Sequence, residues 1–279
     1  MSDSLESRVL GWLKEQGFPL EMEVASIAKA AGFEVSQSEY YLDPDGGEPR
    51  EIDLILSLNN RKGDFSLTYN LFVECKSSRD KPWLMFSTPN ELGSSLTQDN
   101  RFNFIELQSA FISSNLADTL LLKSTFNGNL DHLYPRLNTE PLLGYGVTQA
   151  FAQAGDAPFK AMMSTTKAAL SHTKRMSKLF GLYVPVIFAT PVIVIDVPLL
   201  AVSFSSESNE LAVSEIRRGN LYWKHVVGGR SRIGVYIVTK QEFPAFLADC
   251  YASAQWWTNV DEESLEQIRK ENLGPKQPS

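Results

Sequence analysis

The alternation of apolar and polar positions predicts a helix–strand–strand–strand unit in the first third of the chain. Residues 71–78, Leu71-Phe72-Val73-Glu74-Cys75-Lys76-Ser77-Ser78, have an apolar entry and a polar exit, the pattern of a strand. Side chains on a strand alternate faces, so Glu74 and Lys76 share one side while Val73 and Cys75 point to the core. Residues 50–56, containing Asp53, form a second strand-like run after the turn residues Gly46-Gly47. The polar stretch 59–64 predicts a hairpin between the two strands, which places Asp53 beside Glu74. Upstream, 20–33 reads as an amphipathic helix stopped by Gly32, with Glu21 on the same face as Val24, Ala25 and Ala28. A carboxylate on the buried side of a helix needs a partner.

The remaining segments follow from the same periodicities. Residues 5–16 predict a helix, 33–42 a first strand, and 43–47 a turn cluster of Asp, Pro and Gly. After residue 83, 86–101 reads as loop with a weak helix, 104–122 as helix, 126–145 as irregular and 159–180 as a long helix. The most apolar run, 183–197, is broken by Pro185 and Pro191 and ended by Asp196. It is too short for the ~20 residues of a membrane span and reads as a buried central strand. Further strands are expected at 211–216 and 233–238, a helix at 241–257 and an acidic helix or frayed end at 261–272.

Glu21 on a helix, Asp53 on a strand and Glu74-Cys75-Lys76 on the next strand together resemble the PD-(D/E)XK, or restriction-endonuclease-like, nucleases. The resemblance covers residues 17 to about 86, with Ile52 standing where the family pattern has proline. It implies an α/β fold with a restriction-endonuclease-like core, a mixed β-sheet flanked by helices. It makes 1–272 a single domain, with core segments 5–86 and 182–257, a mainly helical insertion at 87–181 after the third core strand, and a flexible tail at 273–279. It also implies divalent-metal-dependent hydrolysis of phosphodiester bonds in DNA, in restriction, phage defence or repair. Glu21, Asp53, Glu74 and Lys76 would be catalytic. Asp53, Glu74 and the Cys75 backbone carbonyl would hold Mg²⁺, with Mn²⁺ able to substitute. Lys76 would orient the attacking water or stabilise charge on phosphate. Glu23 replaces Glu21 if the helix is rotated. A cross-strand salt-bridge cluster is the other explanation of Asp53, Glu74 and Lys76. A non-catalytic nucleic-acid-binding module of the same fold and an RNA-cleaving nuclease are the alternative functions.

Composition narrows these expectations. The 279 residues are 43% hydrophobic and 21% charged, which is ordinary for a globular protein. A net charge of −7 argues against a protein that coats nucleic acid. Two distant cysteines argue against a disulfide framework and fit a reducing cytoplasm, and the acidic N-terminus does not read as a signal peptide. Two windows nevertheless lack acids. In 157–195, Lys160, Lys167, Lys174 and Lys178 fall within roughly 40° of one another on a helix, a stripe that suits a phosphate backbone or else a solvated face. In the second, 216–241, Arg230 and Arg232 lie in a Gly-rich loop. These windows point to nucleic acid, DNA first, as partner, with a homodimer or protein complex as the other association and no membrane. Neither the histidines nor the cysteines have metal-ligand spacing, and there is no phosphate-cradling glycine loop or nucleophile elbow.

Overall fold

Strand β3 (Phe65–Lys76) is buried on both faces from Tyr69 to Cys75, and the fold is arranged around it. The computed structural model describes residues 4–13, 16–63, 65–77, 81–89, 111–112, 142–152, 157–176, 184–205, 208–223, 233–259, 262 and 266. The other elements are α1 (Leu5–Leu13), α2 (Phe18–Ala30), β1 (Glu34–Leu42), β2 (Pro49–Lys62), β4 (Trp83–Pro89), β5 (Phe111–Ile112), β6 (Leu142–Gln149), α3 (Ala157–Met176), β7 (Val184–Ile195), β8 (Leu199–Ser205), β9 (Glu210–Ile216), β10 (Arg218–Trp223), β11 (Ile233–Thr239) and α4 (Phe243–Asn259). The protein is mixed α/β. The described strands form one mixed sheet in the order β1-β2-β3-β7-β11-β10-β6-β4-β8-β9, with β5 also against β7. Strands β3, β7 and β11 are parallel neighbours, and β1, β2 and β3 form an antiparallel meander.

Helices cover both faces of the central strands. Leu20, Val24, Ala25 and Ala28 of α2 and Phe243, Phe246 and Leu247 of α4 pack over Leu54, Leu71, Val73 and Val194. Ala161, Ala168, Ala169 and Leu170 of α3 pack over Phe72, Ile193 and Ile195. Pro19 at the start of α2 and Gly32 at φ 88° after its end bound that helix. Helix α1 has the expected helical spacing, yet none of its residues is buried, and Leu5, Val9, Leu10 and Trp12 are exposed. No helix among the described residues is long and apolar enough to cross a membrane.

Chain connectivity shows that the sheet curls. Strand β7 ends at Ile195 and β8 begins at Leu199, yet β11, β10, β6 and β4 lie between them. Four Cα steps reach about 15 Å at most, while five strand spacings in a flat sheet cover about 24 Å. Strands β9 and β10 are joined through Arg217 alone, although β6, β4 and β8 separate them in the sheet. Two Cα steps reach about 7.6 Å, against about 19 Å across a flat sheet. The half of the sheet beyond β11 therefore wraps round, and Trp83, Met85, Leu199 and Leu221 fill the space it encloses.

The expected mainly helical insertion at 87–181 is described only in part. Its described residues include the end of β4, β5 and all of β6 besides α3. The glycines of 142–149 resemble loop punctuation, but Gly144 has a packing role. A Cβ on Gly144 would lie 2.6 Å from Met85 Cγ and Sδ, and one on Gly219 would lie 2.6 Å from Met85 Sδ. Both glycines make room for this fully buried methionine, which is why they sit inside strands. The polar stretch 59–62 is likewise strand, paired with 65–68 around Gly63 at φ 56°. Strands β4, β5, β6, β8 and β10 were not expected, β4 falling partly in the expected loop and β5 in the expected helix at 104–122. Most of 104–122 and of 126–145 lies outside the described residues, as do 177–180, most of 261–272 and the tail at 273–279.

The Met85 slot yields a stability test. Gly144→Ala should cost about 1–3 kcal/mol through overpacking. In a double-mutant cycle with Met85→Ala, the two losses should be clearly less than additive in thermal melts. Additive losses would mean that Met85 does not fill the space beside Gly144.

Candidate active site

Asp53, Glu74 and Lys76 meet where β2 parts from β3. The β2–β3 ladder runs from Lys62–Phe65 to Leu54–Val73 and ends there, while β2 stays paired with β1 as far as Pro49–Leu42. Strand β2 also turns over at this point. Leu54 packs under α2 and α4, whereas Ile52, two residues earlier, packs in the α3 cluster. An untwisted strand would keep both on one face. The β1 pairing skips from Gln37–Leu54 to Glu39–Ile52, leaving out Asp53 and Ser38, the latter at φ 52°. Asp53 replaces the lost ladder bond with its side chain, since its Oδ2 accepts from the Cys75 backbone N–H at 2.7 Å. In an extended strand the N–H and C=O of one residue point to the same side. The Cys75 carbonyl therefore also faces the gap, and the Cys75 side chain packs in the opposite core.

Glu74 is held from two directions. Its Oε1 accepts from Lys76 Nζ at 2.6 Å, and its Oε2 accepts from Ser164 Oγ of α3 at 2.8 Å. Burial raises the pKa of the Tyr41 hydroxyl, and nearby Ser164 pulls it down in part. Glu21, in the first turn of α2, lies within electrostatic reach of Asp53, Glu74 and Lys76. Glu23, its rotational alternative, is turned away and accepts from Lys240 Nζ at 3.0 Å. Ser77 Oγ, directly after Lys76, donates to Asp196 at 2.9 Å.

Burial raises the pKa of all three carboxyls, and the Asp53 charge adds to it at Glu21 and Glu74. Burial raises Glu21 most, followed by the Asp53 charge. Burial also raises Asp53, more than the Cys75 N–H and the Lys76 charge lower it. Burial and then the Asp53 charge raise Glu74 against the opposing pull of Lys76. Burial disfavours the Lys76 ammonium, but Glu74 and Asp53 outweigh it and the net shift is upward. Three carboxylates around one ammonium leave the cleft with excess negative charge in a poorly solvated place. His172 of α3 is no base for this site. Burial against Phe72, with the Arg175 charge, pushes its imidazole down to about 4.

The donor set fits a hard divalent cation. Among the described residues, no three His, Cys, Asp and Glu side chains surround a common ion position. Mg²⁺ does not require such a cage, because it is usually bound through one or two carboxylates with water completing its octahedron. Asp53 Oδ1 has no hydrogen-bond donor among the described residues, and each Glu74 oxygen keeps a lone pair beyond its one donor.

The lysine stripe does not form as expected. Lys160 and Lys174 are exposed on α3. Lys167 is instead an ion-pair anchor, 2.9 Å from both Asp43 Oδ1 and Asp45 Oδ2, with 14% of its side chain exposed. It ties the β1–β2 turn to α3 and is not available to a phosphate. Lys178, Arg230 and Arg232 lie outside the described residues. Ser164, Tyr41 and Asp196 carry no sequence signal of their own. Ser164 meets Glu74 from 90 positions away, and only the fold joins them. Compared with known protein families, with curated proteins and with solved structures, the chain has no match.

Proposed function

We propose that the chain is a divalent-metal-dependent nuclease that hydrolyses phosphodiester bonds in DNA, with a restriction-endonuclease-like core. The observation that carries this reading is the cleft at the β2–β3 splay. There Asp53 and Glu74, both raised in pKa, lie with Lys76 under the added charge of Glu21. A cation relieves that repulsion, and the oxygen donors are those Mg²⁺ or Mn²⁺ prefers. Bound there, the ion supplies an activated water and neutralises charge on the reacting phosphate. Asp53, Glu74 and the Cys75 carbonyl would hold it. Lys76 presents its ammonium to the phosphate while its bond to Glu74 fixes its direction. Ser164 keeps the Glu74 carboxylate from rotating. Glu21 completes the negative field.

The test is incubation of the purified chain with supercoiled plasmid, single-stranded DNA and RNA, each with Mg²⁺, Mn²⁺ or EDTA. Cleavage of DNA with either metal and none in EDTA is the expected result. A parallel melt should show stabilisation by Mg²⁺, about 2.7 kcal/mol at one hundred times Kd. Cleavage confined to RNA would reassign the substrate. DNA retention without cleavage or metal stabilisation would identify a binding module.

A further inference from the structure

The two edges of the sheet are built differently. Among the described residues, β1 and β9 are the outermost strands, each paired on one side only. An edge strand carries a row of unpaired N–H and C=O groups, and folded proteins blunt such rows with bulges, proline or lysine. Strand β1 is blunted, since its register skips Ser38, which sits at φ 52°. Strand β9 is not. Its seven residues, Glu210-Leu211-Ala212-Val213-Ser214-Glu215-Ile216, include no proline, lysine or arginine. Its pairing with β8 runs without a break from Ser205–Glu210 to Leu199–Ile216.

Side chains are open there as well as backbone. Every residue from Ser208 to Glu215 is exposed, Leu211 by 72% and Val213 by 59%. Phe204 of β8, directly opposite Leu211, is 57% exposed. Leu211, Val213 and Phe204 share one face of the β8–β9 hairpin, an apolar strip beside an unpaired strand. A regular, apolar and open edge is a template for pairing with another chain.

We propose that β9 pairs antiparallel with β9 of a second copy, so that the sheet continues across a two-fold axis. The strand is complementary to itself. A two-fold axis perpendicular to the sheet keeps every side chain on its own face, so one residue must lie opposite its own counterpart. The register that pairs all seven residues puts Val213 in that position. Glu210 then lies opposite Ile216 of the second copy, and Glu215 opposite its Leu211. The two Glu215 side chains are four strand steps apart, about 14 Å, and the two Glu210 side chains about 20 Å, beyond the ~8–10 Å over which exposed charges act in physiological salt. Leu211, Val213 and Phe204 of both copies join into one strip across the axis. The paired strands and the phenylalanines behind them cover about 1,000 Å² over both copies, the low end for a specific interface, so the dimer is a weak one. This pairing is independent of the nuclease reading.

Sedimentation of the full chain from about 1 to about 200 µM should show a reversible monomer–dimer equilibrium, and amide exchange across 210–216 should slow as the dimer forms. Val213→Lys brings two ammonium groups together at the axis and should weaken the dimer at least about tenfold. Val213 is exposed in the single chain, so the melt of this variant at low concentration should match that of the parent. Residues opposite each other in an antiparallel pair have Cα atoms about 4.5–5.5 Å apart, within the span of a disulfide, so Val213→Cys should crosslink the dimer when treated with diamide. Glu210→Cys, about 20 Å from its counterpart, should not. The native Cys75 and Cys250 are buried and stay out of the reaction. A chain that remains monomeric with unchanged exchange at 210–216 would overturn the proposal and leave β9 to a strand of a different protein. A dimer that Val213→Lys does not weaken, or that Glu210→Cys crosslinks as well as Val213→Cys does, would place the interface elsewhere and overturn it too.

Discussion

Asp53→Asn should abolish metal-dependent cleavage and at the same time make the metal-free protein more stable. A bound ion contributes several kcal/mol to phosphoryl transfer, at about 1.4 kcal/mol per factor of ten, so the rate should fall at least about 10³-fold. The stability gain follows from the directions of the pKa shifts. Asp53, Glu74 and Glu21 have folded-state values above their ordinary 3.8, 4.5 and 4.5. Between the ordinary and the raised values the folded chain holds more protons than the unfolded chain. Stability is therefore greatest below the ordinary values, falls as pH rises through the raised ones, and stays lower above them. An asparagine at 53 keeps an oxygen for the Cys75 N–H and removes one of the repelling charges. At pH 7.5 in EDTA the melting temperature should rise, with about 1 kcal/mol giving roughly 2–4 °C. Adding Mg²⁺ should stabilise the parent and leave the variant unmoved. An asparagine variant that melts below the parent, or that still cuts, would remove Asp53 from the site.

Where one residue's neighbours in the chain decide its place, that place was legible in the sequence. The alternation around Glu74 and Lys76 survives in β3 because that strand pairs without a break along β7 and is covered on both faces. The α2 helix is legible for a similar reason, with apolar spacing and Gly32 setting its limits. What could not be read depends on distant partners. Glu21 and Glu23 are separated as candidates by Lys240, which is 217 positions from Glu23. Lys167 has the helical phase of a phosphate-binding stripe, and its acid-free window holds only along the chain. Asp43 and Asp45 reach it from the β1–β2 turn. Gly144 of β6 and Gly219 of β10 were opaque because their function is the space they leave for Met85. The curl of the sheet has no local signature, since it follows from the strand order and the brevity of two connections.

Lys76→Met should destabilise the protein in a way that both acid and divalent cations repair. Methionine keeps an apolar side chain of similar reach, so the change removes the charge more than the packing. Glu74 then loses the donor at 2.6 Å, and the three carboxylates have no ammonium among them. Breaking a fully buried pair costs about 3–5 kcal/mol, but 31% of the Lys76 side chain is exposed, and a discounted loss of about 2 kcal/mol is expected. That corresponds to a melting temperature lower by roughly 4–8 °C at pH 7.5. Without the lysine, the Glu74 and Asp53 pKa values rise further, so the deficit should grow as pH increases from about 4 to 8 and shrink on acidification. Mg²⁺ or Mn²⁺ should restore part of the loss at pH 7.5, because the ion supplies the missing positive charge. Cleavage should not return with it, since the ion does not replace the ammonium that faces the phosphate. A deficit independent of pH and metal would reduce Lys76 to a packing residue. A metal-stabilised variant that cleaves at the parent's rate would leave its ammonium with no part in the chemistry.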